Sequence, residues 1–401
     1  MSGIVIIGAG QAGSSLAIKL RVLGYQCTVT LIGEEPYAPY QRPPLSKTYL
    51  LGEMALERLY LRPEEIYRDK NIELRLGTQV TAIDPVAQVI SLCAETLSYD
   101  QLALTTGSTP RLLPEAIGGR LQNVFAVRGL ADVDAMRPAF EDGGHVLIIG
   151  GGYIGLEAAA VAAKRGLKVT LVEMADRILQ RVACAETSDY FRALHQSHGV
   201  TLLEGVGLSS LTGTDHVTAA ILSNGTTLDI DFALVGVGIQ PNTQLADAAG
   251  LTLNNGIETN ALGQTSQSKI WAAGDCASFP YQGERIRLES VPNAIDQAEV
   301  VAANMLGAQK AYHATPWFWS DQYDVKLQIS GLNQGFENVV TRIGEAGRSH
   351  WYYKAGQVLA VDAMNDPRAY MVAKRLIEAG KTADPALVAD PGSDLKALLR
   401  G

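Results

Sequence analysis

Cysteine is scarce and scattered: the chain has four, Cys27, Cys93, Cys184 and Cys276, and no C-x-x-C. A disulfide framework is therefore not expected, and neither is a zinc site. Long apolar runs are missing too. No stretch approaches the roughly 20 residues that a membrane-spanning helix needs. Nothing reads as a leader, because the first apolar strand begins at Ile4, and a cytoplasmic, reducing setting is the expectation. Positive charge is in deficit, with 33 Lys and Arg against 42 Asp and Glu, a net charge of −9. Sequence-independent nucleic-acid binding, which needs a cationic face, is disfavoured. The deficit is uneven. Residues 301–401 carry eleven Lys/Arg and ten Asp/Glu, so nearly all the excess acid lies before them.

What is present is apolar residue and glycine. A length of 401 residues exceeds one ordinary core and implies two or three domains, and 47% hydrophobic content suits well-buried ones. The 40 glycines need a use beyond turns. An internal repeat supplies one. Ile4 to Ile7 runs into Gly8-Ala9-Gly10-Gln11-Ala12-Gly13, then a helix-like stretch, then a strand from Thr28 to Ile32 beside Glu34. Val146 to Ile149 repeats this with Gly150-Gly151-Gly152-Tyr153-Ile154-Gly155, a helix, and a strand from Val169 to Val172 ending at Glu173. Both read strand, G-x-G-x-x-G, helix, strand, acid.

Each part of that motif has a mechanical role. The first glycine makes the tight turn, the second admits a pyrophosphate to the backbone, and the third lets helix and strand pack closely. The helix N-terminus then offers unpaired N–H groups and a positive dipole end to the phosphates. Glu34 follows Gly13 by twenty-one residues and Glu173 follows Gly155 by eighteen, the range at which a carboxylate meets ribose hydroxyls. Two such units in full context predict two dinucleotide sites. A carboxylate at Glu173 favours NADH over NADPH there. A 2′-phosphate about 4 Å away would be repelled by roughly 4 kcal/mol at an effective dielectric of about 20. Arg177 lies close by in sequence and is positioned to offset part of this.

Further segments resemble the flavoprotein reductases with two dinucleotide-binding domains. Leu102 to Ser108 is similar to the strand at which the chain leaves the FAD domain, and Phe232 to Gly238 with Ile239-Gln240-Pro241-Asn242 to the end of the NAD domain. Ile270-Trp271-Ala272-Ala273-Gly274-Asp275-Cys276 resembles the late FAD motif, whose aspartate binds the ribityl and diphosphate region. The disulfide reductases of that superfamily carry a redox cysteine pair after the first acidic strand, and the NADH oxidases and peroxidases a cysteine nearby. Here the segment reads Pro39-Tyr40-Gln41-Arg42-Pro43-Pro44-Leu45-Ser46-Lys47, without one. Electrons are expected to leave from the flavin itself.

The segment from Arg42 to Lys47 resembles the ferredoxin reductases of oxygenase systems, and apoptosis-inducing factors as well. Trp317-Phe318-Trp319-Ser320-Asp321-Gln322-Tyr323, Glu289-Ser290-Val291-Pro292-Asn293 and Val358-Leu359-Ala360-Val361-Asp362 are similar to the putidaredoxin reductase group in particular. The resemblance implies an α/β fold with two Rossmann-like domains, for FAD and NAD, and a C-terminal α+β domain. It places the FAD domain at 1–108 and 243–312, the NAD domain at 109–242 and the C-terminal interface domain at 313–401.

The same resemblance implies the site residues. FAD contacts fall at Gly8, Gly10, Ala12, Gly13, Glu34, Arg42, Lys47, Val80, Arg128, Asp275 and Val291, and NAD contacts at Gly150, Gly152, Ile154, Gly155, Glu173 and Gly238. Lys47 and Glu157 are implied as an ion pair beside the flavin, with Glu157 on the first turn of the second nucleotide helix. A helix from about Pro292 would aim its N-terminus at the flavin, and the segment from His313 would cover it with Trp319 at the electron exit. The partner implied is a [2Fe–2S] ferredoxin, drawn to a local patch with Lys326, Lys396 and Arg62 as candidates, and through it a cytochrome P450. Glu299 departs from a cationic docking face. A ring-hydroxylating dioxygenase reductase, or an NADH redox sensor similar to apoptosis-inducing factors, is the alternative.

Overall fold

A computed structural model describes residues 3–345 and 347–400. The chain forms two compact units. One takes the residues up to Arg42, Met54–Thr109 and Ile239–Pro316; the other takes Pro43–Glu53, Pro110–Gly238 and the chain from Trp317 on. None of the described helices is long and apolar enough to cross a membrane.

The first unit is built on a seven-stranded sheet. Strand β1 (Gly3–Ile7) lies parallel between β2 (Val29–Ile32) and Thr96–Leu104, and helix α1 (Gln11–Val22) crosses from β1 to β2. Side chains alternate along β1. Ile4 and Ile6 pack with Leu16 and Leu20 of α1 and with Val301 and Met305 of the helix Val291–Met305. Val5 and Ile7 face Ile90, Leu102, Leu104 and Ile270 on the other side. Burial on both faces explains why these strands read as continuous apolar runs. The last strand, Ile270–Ala272, returns late in the chain to pair with Thr96–Leu104, and so carries Asp275 back to the unit that begins with Gly8.

The second unit repeats the plan. Strand β3 (His145–Ile149), helix α2 (Tyr153–Lys164) and strand β4 (Lys168–Glu173) belong to a five-stranded parallel sheet. Helix α3 (Ala185–Ser197) follows. The C-terminal part is a five-stranded antiparallel sheet whose edge strand is β5 (Trp317–Gln322), with β6 (Arg348–Lys354) and β7 (Gln357–Met364) inside it. Period-2 alternation divides β6: Trp351 and Tyr353 pack with Val372, Ala373 and Leu376 of the helix Pro367–Glu378. His350 and Tyr352 turn the other way, onto Thr187 and Cys184.

Segment Pro43–Glu53 leaves the first unit's chain to join the second, and polar contacts show why. Tyr49 donates to Asp134, Lys164 to Glu53, and Arg165 to the Leu51 carbonyl, while Lys47 pairs with Glu157. Residues assigned by resemblance to separate NAD and C-terminal domains fall within this one unit.

Candidate functional site

The first glycine loop has the geometry of a phosphate cradle. Gly8 has φ +110°, and a Cβ there would lie 2.2 Å from the Thr105 carbonyl, so only glycine fits the turn. A Cβ on Gly13 would lie 2.0 Å from the Gly8 carbonyl, which welds α1 to the turn. Gly10 is different. A Cβ there meets nothing within 4 Å, so the position opens onto space. Gly10 is also the N-cap of α1 and supplies no side-chain cap, leaving the helix-start N–H groups for a ligand.

The second loop matches it almost atom for atom. Gly150 has φ +110°, a Cβ on Gly155 would lie 2.0 Å from the Gly150 carbonyl, and Gly152 is open and caps α2 without a side chain. Both loops thus fit a dinucleotide pyrophosphate. Ile154, one of the implied NAD contacts, is exposed despite being apolar. Gly238 takes φ +103° and accepts from the Arg111 N–H at 2.9 Å.

The acids differ by one residue between the loops. Ile7 pairs with Ile32, and Ile149 with Val172, so Gly33 occupies in the first loop the place of Glu173 in the second. Packing gives the reason: a Cβ at Gly33 would come 2.7 Å from Ala9 Cβ, whereas Gly151 leaves room for Glu173. Glu173 is held firmly, its two oxygens accepting from the Gly151 N–H at 2.7 Å and the Ala175 N–H at 2.8 Å. Glu34 is exposed and bonded by Gln79 at 3.3 Å. The Arg177 guanidinium donates to the Cys184, Ala183 and Gln180 carbonyls and to the Ser188 hydroxyl.

Around the first loop the unit assembles further polar groups. Asp275 accepts from the Ser108 hydroxyl at 2.8 Å and follows Gly274, where a Cβ would lie 3.0 Å from Ala12 Cβ. That close approach brings Ala12 and the late motif together. Arg42 donates to Glu35 and lies 5.0 Å from the Tyr40 ring centroid. Glu35, Tyr40 and Asp275 outweigh its burial and hold its pKa above the ordinary value. Sequence reading missed Glu35, whose only signal was its place next to Glu34. Val80 is buried at the start of the strand Val80–Asp84, and Val291 starts the helix Val291–Met305, whose N-cap Ser290 accepts from Asn293 N–H. Arg128 lies in the second unit, where its N–H donates to Asp132 at 2.8 Å.

The second unit also holds a buried ion pair. Lys47 Nζ lies 2.9 Å from Glu157 Oε1 and 3.5 Å from Asp321 Oδ2, and the Ser320 hydroxyl donates to Glu157 at 2.7 Å. Desolvation raises the Glu157 pKa, opposed by Lys47 and Ser320 and aided by Asp321. Glu157 is the fifth residue of α2 and so sits on its second turn, not its first, because the helix begins at Tyr153 directly after Gly152. The sequence motif from Trp317 to Tyr323 now divides by strand alternation. Ser320 and Gln322 are buried, while Trp319 is half-buried, 5.7 Å from Trp317 between ring centroids.

Of the charges weighed for partner docking, Lys326 and Lys396 are exposed in the second unit and Arg62 is half-buried in the first. Glu299 is not an isolated acid: Lys19 of α1 pairs with it at 2.7 Å. All four cysteines are free, and Cys184 and Cys276 are buried. Burial raises both buried thiols above the ordinary pKa, which disfavours the reactive thiolate.

Residues 2–298 match the family model described as pyridine nucleotide-disulphide oxidoreductase, and residues 317–399 the reductase C-terminal model. The chain is 40% identical to putidaredoxin reductase of Pseudomonas putida over 99% of its own length and 96% of that protein's. Its structure is similar to that of the covalent putidaredoxin reductase–putidaredoxin complex, with a TM-score of 0.95 and 39% identity, covering 100% of this chain and 98% of that one. The ferredoxin reductase for the CYP199A2 system of Rhodopseudomonas palustris gives a TM-score of 0.95 and 40% identity, over 99% of each chain.

Proposed function

We propose that this chain, which belongs to the FAD-dependent ferredoxin reductases similar to putidaredoxin reductase, oxidises NADH and passes electrons one at a time to a [2Fe–2S] ferredoxin serving a cytochrome P450. It is an FAD- and NAD(P)H-dependent oxidoreductase. The observation that carries the finer reading is the pair of matched glycine loops, each open at its second glycine, in a chain whose Arg42-to-Lys47 segment has no cysteine.

When bound, the two dinucleotides supply the hydride and one-electron chemistry. The residues of the chain bind, orient and set charge. The first loop with Glu34, Arg42, Val80, Asp275 and Val291 holds FAD. The second loop with Glu173 holds NADH, and the fixed carboxylate turns away a 2′-phosphate. Lys47 and Glu157 form the charged pair of the reducing centre. Trp319 stands at the exit, with Lys326 and Lys396 offering local positive charge to an acidic ferredoxin. Two dockings per NADH require short-lived encounters, which suit an interface below about 1,200 Å² steered by charge. The reading places the protein in the cytoplasm, in keeping with its free cysteines.

Coenzyme preference is expected at tenfold or more in kcat/KM for NADH over NADPH, checked by steady-state kinetics. Equal values would remove Glu173 from its role, and Glu173→Gln should narrow the gap. Ferredoxin reduction is expected to slow sharply from low to high salt while ferricyanide reduction barely changes, since ferricyanide needs no docking patch. Trp319→Ala should impair ferredoxin reduction more than flavin reduction by NADH. Equal sensitivity of both half-reactions would place the exit elsewhere, and failure to reduce any ferredoxin would favour the redox-sensor reading.

A further inference from the structure

Behind the Lys47–Glu157 pair runs a chain of hydrogen bonds with no gap. Glu157 Oε1 takes the Ser320 hydroxyl at 2.7 Å, and Ser320 Oγ takes Gln322 Nε2 at 3.2 Å. Gln322 Oε1 meets His195 Nε2 at 2.8 Å, and His195 Nδ1 meets the Tyr323 hydroxyl at 3.1 Å. The Tyr323 ring stacks on that of His198, 3.7 Å between centroids, and His198 is exposed. Ser320, Gln322 and His195 are fully buried, and they come from β5 and α3, elements far apart in sequence.

Proton bookkeeping leaves this chain one direction at a time. An ionised Glu157 only accepts, so Ser320 must donate to it. Gln322 must then donate to Ser320 with its amide nitrogen, its carbonyl must accept from His195 Nε2–H, and Nδ1 must accept from Tyr323. A Glu157 protonated on Oε1, the oxygen that faces Ser320, donates instead, and every link reverses: Ser320 to the Gln322 carbonyl, the Gln322 amide to Nε2, and Nδ1–H to Tyr323. The two arrangements differ by one proton, on Glu157, with the others redistributed by exchange with solvent and a turn of the amide.

We infer that Ser320, Gln322 and His195 are positioning residues that lock Glu157 in its ionised form, with the tautomer of His195 as the register of that charge. Taking the Lys47–Glu157 pair as part of the reducing centre rests on the function proposed above; the chain itself does not. Its members set the charge beside Lys47 without touching a reacting atom. Glu157 is faced by Lys47, Ser320 and Asp321, and His195 by Gln322, Tyr323 and His198. Burial pushes His195 down to about 4, so its ring is neutral at ordinary pH and its tautomer is defined.

The test is nitrogen-15 NMR of histidine-labelled, FAD-loaded protein, with His195 assigned from a His195→Gln variant. At pH 7–8 the wild type is expected to show His195 as the Nε2–H tautomer, shifting to Nδ1–H as acid protonates Glu157. Ser320→Ala, which removes a single hydroxyl and no packing bulk, breaks the link between Glu157 and Gln322, so the His195 tautomer should no longer follow Glu157, while the acid limb of flavin reduction by NADH should rise by about one pH unit, a tenfold change in proton affinity. Gln322→Met should uncouple the tautomer from Glu157 altogether. An Nδ1–H tautomer in the wild type at pH 7–8, or a Ser320→Ala protein whose His195 tautomer still switches with Glu157, would overturn the inference. Flavin that NADH cannot reduce, in a protein showing the expected tautomers, would instead overturn the proposed function and leave the chain standing.

Discussion

Gly152→Asp is expected to yield a folded, yellow protein that NADH reduces about a thousandfold less efficiently than the wild type. Its counterpart, Gly10→Asp, should fold but emerge colourless, without FAD. A Cβ at either position meets nothing within 4 Å, so the fold tolerates the side chain. The ligand does not. A carboxylate about 4 Å from a pyrophosphate charge costs roughly 4 kcal/mol at an effective dielectric of about 20, which is near three decades in affinity. Gly13→Val and Gly155→Val make the control, because their Cβ atoms would lie 2.0 Å from a carbonyl and the loops cannot close. These two should fail to fold. Absorbance at flavin wavelengths, thermal melting and stopped-flow reduction separate the cases. A Gly152→Asp protein that NADH reduces at the wild-type rate would remove the second loop from coenzyme binding.

Lys47→Ala is expected to lower stability by about 3 kcal/mol, the lower end of what removing one partner of a buried ion pair costs. Ser320 remains to hold Glu157, which keeps the loss from being larger. For a unit of this size the melting temperature should fall by roughly 6–12 °C. The double variant Lys47→Ala/Glu157→Gln should recover more than half of that, since no unpaired charge is left buried. The effect depends on pH in a definite sense. Burial raises the Glu157 pKa in the folded state, so the fold binds that proton more tightly than the unfolded chain does. Its contribution is therefore full below the unfolded value, about 4.3, and is lost as pH rises through the folded value. Removing Lys47 moves the folded value further up. The deficit of Lys47→Ala should thus shrink toward pH 4 and be greatest near neutrality. A deficit independent of pH, or no recovery in the double variant, would mean that Lys47 acts through packing alone.

Much of this protein is local in the sequence. Each G-x-G-x-x-G lies between a strand and a helix that touch in the fold, so three glycines with distinct tasks are legible from spacing. The absence of a cysteine between Tyr40 and Lys47 is equally local, and it excludes a thiol relay there without any coordinates. The alternation from Trp319 to Gln322 also carries, at period 2, the division between the half-buried aromatic and the buried polar residues.

Other features exist only once distant segments meet. His195 reads as a polar residue on an amphipathic helix, and nothing near it in the chain points to Gln322, which is 127 residues away. The Lys19–Glu299 pair turns an apparently stray acid into half of an ion pair by the packing of α1 against a helix 280 residues on. Segment Pro43–Glu53 changes unit because Lys47 and Tyr49 find their partners there. Composition, turn chemistry and the two glycine loops are set by short-range sterics, which the sequence alone determines. Ionisation and hydrogen-bond direction at Glu157 depend on which groups desolvate it and which donate to it. Those groups are brought together from α2, α3, β5 and the Lys47 segment, so only the tertiary structure decides them.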